Sequence, residues 1–335
     1  MTDTPGKSMK AVHIATLDGP EAVTVVDADR PTRKPDQVLI EVHAAGVAFP
    51  EVLQSRGKYQ IRPELPFIPG AEVGGVVLEA PDGAHVKPGD RVAALSMRGG
   101  FAEYAVCDPS LVFKVSDNVT FEQAASIPFN YMTAHFALLP RGRMTAGERV
   151  LVHGAAGGVG TASIQVAKAF GAGQVIAVTS TDEKGTVAVE AGADQYVLVD
   201  GFKDAVMAAT NGEGVDIVVD TVGGDRFTDS LRCLRNDGRL LVVGFTEGSI
   251  PEVKVNRLLL NNIDVVGVGW GAYASKRPGY FAGQWEELEP KVASGELMPP
   301  IGASFAMDDV VQALLTIDER RATGKIVLTT GTSAD

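Results

Sequence analysis

A chain of 335 residues, 45% hydrophobic and 21% charged, is long enough for two domains around a sizeable core. A formal net charge of −12 argues against nucleic acid or an anionic membrane as partner, and no apolar run reaches the roughly 20 residues that a bilayer span needs. With only Cys107 and Cys233 there is no disulfide framework, which makes the cytoplasm the expected compartment.

Residues 1–7 lack the apolar core of a signal peptide and read as a frayed tail. Apolar alternation predicts short strands at 10–14 and 38–42. Others follow at 72–78, after the Pro88-Gly89-Asp90 turn, and at 101–106, with Pro63, Pro66, Pro69 and Gly70 punctuating the loop before the third. Many short strands with frequent turn signals predict a β-barrel-like domain, ending near Pro128 where a helix over about 130–138 begins.

The densest signal lies between Arg149 and Lys184. The apolar run Val150-Leu151-Val152-His153 passes into Gly154-Ala155-Ala156-Gly157-Gly158-Val159-Gly160. A helix is predicted next, with Val159, Ala162, Val166 and Phe170 on one face and Gly171 to stop it, and a second strand at 175–178. Strand, glycine turn, helix and strand form the unit that binds a dinucleotide. Glycines let the backbone turn sharply and let a pyrophosphate approach, while the helix N-terminus offers unpaired N–H groups and the positive end of its dipole. Gly157, Gly158 and Val159 are therefore candidate pyrophosphate contacts, a plain tight turn being the competing reading. The register is Ala155-x-Gly157-x-x-Gly160, with alanine in first place and Gly154 just upstream to ease the turn.

The tip of the second strand bears on the choice of cofactor. A carboxylate there would accept hydrogen bonds from the adenosine ribose and mark NAD. The chain instead reads Thr179-Ser180-Thr181-Asp182-Glu183-Lys184. Ser180 and Lys184 could hold a 2′-phosphate, which makes NADPH the expected cofactor. In the competing reading Thr181 caps the next helix, Lys184 is solvated, and Asp182 reaches back to the ribose.

Helix and strand continue to alternate, with a helix at 187–191, strands at 196–199 and 215–220, and Leu231 and Leu234 on a helix. Strands at 239–244 and 264–268 complete the set, and ligands in such sheets bind beyond the C-terminal strand ends. The loops after Val152, Val178, Asp220, Val243 and Val268 should thus converge on one crevice. A last strand at 325–329 is expected to return to the first domain. The expected division is 1–128 for the β-rich domain, 129–270 for the dinucleotide domain and 271–335 for the return.

A β-domain, a glycine-turn α/β domain and a C-terminal return form the layout of the medium-chain dehydrogenase/reductase superfamily. The resemblance runs through Gly46-Val47-Ala48-Phe49-Pro50-Glu51-Val52-Leu53, Arg56-Gly57-Lys58-Tyr59, Pro66-Phe67-Ile68-Pro69-Gly70 and Gly99-Gly100-Phe101-Ala102-Glu103-Tyr104. It continues through the glycine turn, Asp220-Thr221-Val222-Gly223-Gly224, Gly244-Phe245 and Gly269-Trp270-Gly271-Ala272-Tyr273. In order and spacing the set resembles the zinc-independent NADPH:quinone oxidoreductase family over nearly the whole chain.

That resemblance implies an α/β protein with a GroES-like, β-barrel-like catalytic domain and a doubly wound Rossmann parallel sheet. It places the nicotinamide beside residues 48–52 and beside Tyr131-Met132-Thr133-Ala134, with Thr133 bonding its ribose or carboxamide end. Tyr59 and Tyr131 become candidate walls of an acceptor slot, against the alternative of ordinary packing. Val222, Gly244, Phe245 and Trp270 become further cofactor contacts, and a homodimer is implied. The implied activity is hydride transfer from NADPH to a quinone or related conjugated carbonyl. The alternatives are a 2-enoyl or enoyl-thioester reductase and a nicotinamide-binding protein with little turnover. One departure stands out: where the family commonly has Val-Asn-Phe-Pro-Asp, this chain has Val47-Ala48-Phe49-Pro50-Glu51.

A catalytic zinc needs three protein ligands. Zinc alcohol dehydrogenases supply the first of them from a cysteine and a Gly-His-Glu motif, and the matching stretches here read Gly46-Val47-Ala48 and Gly70-Ala71-Glu72. No two of His13, His43, His85, His135 and His153 fall within one helical turn, so no bound metal is expected.

Overall fold

The computed structural model describes residues 8–331, so the frayed tail expected at 1–7 lies outside the described residues. The chain forms two compact units, one from the segment through Phe129 with Phe281–Ala293 and Pro299 onward, the other from Asn130–Tyr280 with Ser294–Met298. No helix among the described residues is long and apolar enough to cross a membrane.

In the first unit β1 (Ser8–His13) and β2 (Thr24–Asp29) form an antiparallel pair. The larger sheet begins with β3 (Val38–Val47), β4 (Glu72–Glu79), β5 (Arg91–Leu95), β6 (Tyr104–Cys107) and β7 (Val112–Lys114). The short helices α1 (Phe49–Ser55) and α2 (Phe121–Ala124) follow β3 and β7. A third helix, α3 (Pro128–Phe136), begins two residues before the predicted one. Strand β3 runs five residues beyond its predicted end because its second half pairs with a strand from far along the chain. Gly46 is required in that stretch, since a Cβ there would collide with the Ala125 carbonyl and sit 2.7 Å from Glu72 Oε1.

The second unit contains β8 (Arg149–His153), β9 (Gln174–Thr179), β10 (Gln195–Leu198), β11 (Val215–Asp220), β12 (Leu234–Val242) and β13 (Asp264–Gly267). Between them lie α4 (Gly158–Ala169), α5 (Asp182–Glu190), α6 (Phe202–Ala209) and α7 (Phe227–Arg232). All neighbours pair in parallel in the order β10-β9-β8-β11-β12-β13. Two three-stranded halves wound outward from β8 and β11 are the doubly wound arrangement, with a crevice where the order reverses. Every residue of β11 is buried, as a central strand covered on both faces requires, and each of its valines contributes about 1.5–3 kcal/mol by burial.

One expectation is corrected here. Leu234 does not continue the helix of Leu231; it opens β12, five residues upstream of where the apolar run marked a strand. Asp237 adopts φ +64 and the register with β11 shifts near Val215, so an irregular start hides the strand from its alternation. The C-terminal part adds β14 (Ile301–Ala306), the helix Val310–Asp318 and β15 (Lys325–Thr329) to the first unit. Strand β15 lies between β14 and β3 and pairs Ile326 with Val47, so the last strand is built into the sheet of the first unit. Met307, Val310, Leu314, Ile326 and Leu328 join Val42, Val47, Val52 and Val73 in one core.

Candidate functional site

In the parallel sheet, β8 ends at His153 and the chain reverses through Gly154, which takes φ +60. Thr221, after β11, donates its hydroxyl to the His153 carbonyl at 3.1 Å, joining the two loops at the reversal point. His153 itself is fully buried with Nε2 on the Ser230 hydroxyl at 2.8 Å. Burial, with the Arg226 charge nearby, pushes its pKa down to about 3, so the imidazole is neutral packing beneath the turn and carries no charge to a ligand.

The glycines of the turn do different jobs. A Cβ at Gly160 would run into the Gly154 carbonyl and the Ala155 backbone, so this glycine sets how closely α4 packs on the turn. A Cβ at Gly158 would meet Asn130 Nδ2 at 2.5 Å. Gly157 is the N-cap of α4 in ordinary extended geometry, φ −84 and ψ 175, with no side-chain capping bond. Its Cβ would touch only the Gly154 carbonyl at 3.4 Å, an ordinary contact. The cradle is thus closed behind Gly160 and open before Gly157, where first-turn N–H groups and the dipole favour an anion. Gly157→Val should therefore abolish dinucleotide binding while leaving the melting curve nearly unchanged. An unaltered cofactor titration of that variant would show that no phosphate lies against the turn.

At the tip of β9 both readings of the sequence receive geometry. Thr181 caps α5, its hydroxyl accepting the Lys184 N–H at 3.3 Å. Ser180 is exposed and Lys184 half-buried. Asp182, the competing ribose partner, accepts the Tyr196 hydroxyl at 3.0 Å. Gly185 makes room for that ring, for a Cβ there would press on Tyr196 Cε2 at 2.5 Å. Tyr196 carries no signal in the sequence, because it reaches the tip of β9 only through the pairing of β10 with β9.

The loop after β11 is held by a buried carboxylate. Asp220 Oδ1 accepts the N–H groups of Val222 and Gly223, each at 2.9 Å. Burial raises the Asp220 pKa, opposed by those two hydrogen bonds and by Arg226. The loop after β12 lies against it, with Thr246 N–H on the Thr221 carbonyl at 3.2 Å and Glu247 N–H on that of Val222 at 3.0 Å. Val222 is buried, Phe245 is 37% exposed beside Gly223, and Trp270 is buried at the first residue of the helix after β13. Gly157, Gly158, Val159, Ser180, Val222, Gly244, Phe245 and Trp270 thus all follow the C-terminal ends of parallel strands. On α3, Thr133 is buried, and Tyr131 is enclosed with its hydroxyl donated to Gln165 Oε1 at 2.8 Å. Gln165 also exchanges hydrogen bonds with the Met298 backbone at 2.8 and 2.9 Å, so Tyr131 sits within packed structure.

In the first unit the residues around the departure form a buried charged group. Glu72, on β4, takes Lys325 Nζ from β15 on Oε1 at 2.5 Å and the Phe129 N–H on Oε2 at 2.8 Å. Glu51, on α1, accepts the Ala48 N–H at 3.0 Å, so it caps its own helix from the third position. Glu51, Glu72 and Lys325 are 2%, 1% and 3% exposed. Burial pushes the Glu51 carboxyl up to about 7, against the opposing pull of Lys325. Tyr59 is half-buried, and its pKa is raised by burial and by the nearby charge of Glu51. In the sequence Glu51 and Tyr59 stood out by the family resemblance and Glu72 only in the zinc comparison, while Lys325, 253 residues from Glu72, gave no sign of pairing with it.

Comparison with known proteins places these features. Residues 34–117 match the alcohol dehydrogenase GroES-like domain and residues 158–289 the zinc-binding dehydrogenase family. The chain is 37% identical to quinone oxidoreductase-like protein 2 of Bos taurus over 326 residues, 96% of this chain and 93% of the relative. A solved probable oxidoreductase from Mycobacterium abscessus superposes with TM-score 0.89 at 40% identity, covering 97% of this chain and all of that one. The quinone oxidoreductase of Thermus thermophilus, solved alone and with NADPH, gives 0.83 at 31% identity, covering 96% of this chain and all of that one.

The chain belongs to the quinone oxidoreductase family of medium-chain dehydrogenase/reductases. As a member of that oxidoreductase family it has the GroES-like unit and the Rossmann sheet described above. One of the matching family descriptions names zinc, and the donor set can be tested on these residues. Among the described residues no three His, Cys, Asp or Glu side chains group to hold a metal ion. Glu72 is engaged by Lys325 and Phe129, while His85 Nε2 is bonded to the Val112 carbonyl at 2.8 Å. The residues present do not fit a zinc centre.

Proposed function

We propose that this protein is an NADPH-dependent reductase of quinones or of related conjugated carbonyls. The observation that carries the reading is the open α4 N-terminus at Gly157 on the C-terminal edge of the doubly wound sheet. The NADPH complex of the Thermus thermophilus relative and the quinone oxidoreductase names of the relatives support it.

When bound, the nicotinamide supplies the hydride. The work of the chain is to bind, to orient and to exclude water, which together convert an encounter into a directed transfer. Backbone N–H groups at Gly157, Gly158 and Val159 hold the pyrophosphate. Ser180 and Lys184 take the 2′-phosphate, with Asp182 turned to Tyr196 so that one carboxylate beside that phosphate is already engaged. Val222, Gly244, Phe245 and Trp270 line the nicotinamide half, and Thr133 orients its ribose or carboxamide. Tyr59 offers its ring face to a planar acceptor, while Tyr131, bonded to Gln165, supports that helix from within.

The test is turnover of a quinone panel with either cofactor, combined with binding titrations. The expected result is quinone-dependent NADPH oxidation and tighter binding of NADPH than NADH. A hydrogen bond to a charged group contributes about 1.5–3 kcal/mol, so Lys184→Ala should weaken NADPH about tenfold or more and leave NADH nearly unaffected. Equal dissociation constants for the two cofactors would reject the 2′-phosphate assignment. Absence of turnover with every quinone would reject the acceptor.

A further inference from the structure

We propose that Tyr196 sets the cofactor choice of this protein by holding the Asp182 carboxylate on the β10 side of α5, away from the 2′-phosphate. This rests on the reading above, in which Ser180 and Lys184 take that phosphate. All the residues involved belong to the unit that carries the parallel sheet.

The start of α5 suits either cofactor. Strand β9 ends at Thr179 and α5 begins at Asp182, so two residues separate the strand tip from the helix. The first turn of a helix attracts an anion through its N–H groups and its dipole. A carboxylate at such a strand tip accepts the hydroxyls of an adenosine ribose and selects NAD. Asp182 is exposed and lies in that first turn, so left to itself it would favour NADH and repel the extra phosphate of NADPH.

The fold directs this carboxylate elsewhere. Tyr196 pairs with Ala177 in the β9–β10 ladder, and its hydroxyl donates to Asp182 Oδ1 at 3.0 Å. That hydrogen bond raises the Tyr196 pKa, so the phenol keeps the proton it donates. The ring lies on Gly185, where a Cβ would collide with its Cδ2. Asp182 and Gly185 are three residues apart and share one face of α5, the face that Tyr196 covers. Lys184 is two residues from Asp182, about 200° round the helix, so it faces the opposite side. An anion held by Lys184 is thus separated from the pinned carboxylate by the helix itself. Tyr196 is a positioning residue: it touches Asp182, and through it decides which ribose the strand tip accepts.

The experiment measures dissociation constants for NADPH and NADH in the unaltered protein, Tyr196→Phe, Asp182→Asn and the double variant. Tyr196→Phe keeps the ring on Gly185 and deletes only the hydroxyl. Its preference for NADPH over NADH should fall about tenfold, NADPH binding more weakly and NADH more tightly. Added salt should reduce the change, since a released charge is screened. The double variant should regain the preference of the unaltered protein, because an amide carries no charge to repel a phosphate. Asp182→Asn alone should keep that preference within about threefold. Gly185→Ala, which displaces the ring, should behave as Tyr196→Phe does. A preference unchanged in Tyr196→Phe would overturn the proposal. So would a preference still lost in the double variant, which would mean that the hydroxyl acts on the cofactor without Asp182. Equal binding of both cofactors by the unaltered protein would instead reject the 2′-phosphate reading, and this proposal with it.

Discussion

Replacing Lys325 with methionine should lower the stability of the protein by about 3–5 kcal/mol, the usual cost of removing one partner from a buried ion pair. Methionine matches the length and apolar stem of lysine, so little packing is lost. The cost comes from Glu72, which stays enclosed with its charge unbalanced and only the Phe129 N–H to satisfy it. The double variant Lys325→Met with Glu72→Gln should recover more than half of the loss. Its amide keeps an acceptor for Phe129 and carries no charge, and a buried pair replaced by neutral groups is often close to neutral in stability. Chemical denaturation of both variants at fixed pH decides it. A single variant that loses less than about 1 kcal/mol would mean that the pair is solvated and its enclosure only apparent. Its position makes the effect global, because β15 lies between β14 and β3 in the main sheet of its unit.

The stability of the protein should also fall as pH rises through neutrality, and Glu51 should be responsible. Its carboxyl is raised from an ordinary value of 4.5 to about 7 by burial. Between those values the folded chain holds a proton that the unfolded chain has released. The folded state then binds more protons, so stability declines with rising pH at about 1.4 kcal/mol per unit. The contribution is fully present below pH 4.5 and is lost as pH passes the folded value of about 7. Across the window the loss amounts to about 3 kcal/mol, an order-of-magnitude figure. Glu51→Gln, neutral at every pH, should lack it. Denaturation midpoints of the two proteins should therefore diverge from acid to mildly alkaline pH, with the variant the more stable at pH 8. Parallel curves would mean that Glu51 is ionised in the folded protein.

Much of this molecule can be read from local pattern. The run from Val150 to Val178 states strand, turn, helix and strand in its own apolar periodicity, and the structure has them at Arg149–His153, Gly158–Ala169 and Gln174–Thr179. Val215–Asp220 is legible to the residue because a buried parallel strand reads as a mostly apolar run, here interrupted only by Asp216, closed by a turn. The cap at Thr181 is equally local, since the hydroxyl reaches an N–H three residues on. Local signals failed where the backbone is irregular. Residues 236–238 break the alternation of β12, so its first half looked like the continuation of a helix. Strand β14 and the helix Val310–Asp318 were not singled out either, being defined by the partners they cover.

What the sequence determined by itself is the class of the protein: an α/β chain with a glycine turn opening a helix, a hydroxyl-rich strand tip, and no metal-ligand pattern. Those properties reside in neighbours along the chain, where covalent spacing fixes geometry. Only the tertiary structure decided which charges meet. Glu51, Glu72 and Lys325 are brought together by three elements around β3: α1 follows it, and β4 and β15 pair with it. Likewise Tyr196 engages Asp182 through the β9–β10 ladder, and Thr221 reaches the His153 carbonyl from a crossover strand. The protonation state of a carboxyl depends on the solvent it has lost and the cations it has gained. Both are set by elements folded over it from distant parts of the chain, so no spacing in the sequence could announce that Glu51 keeps its proton.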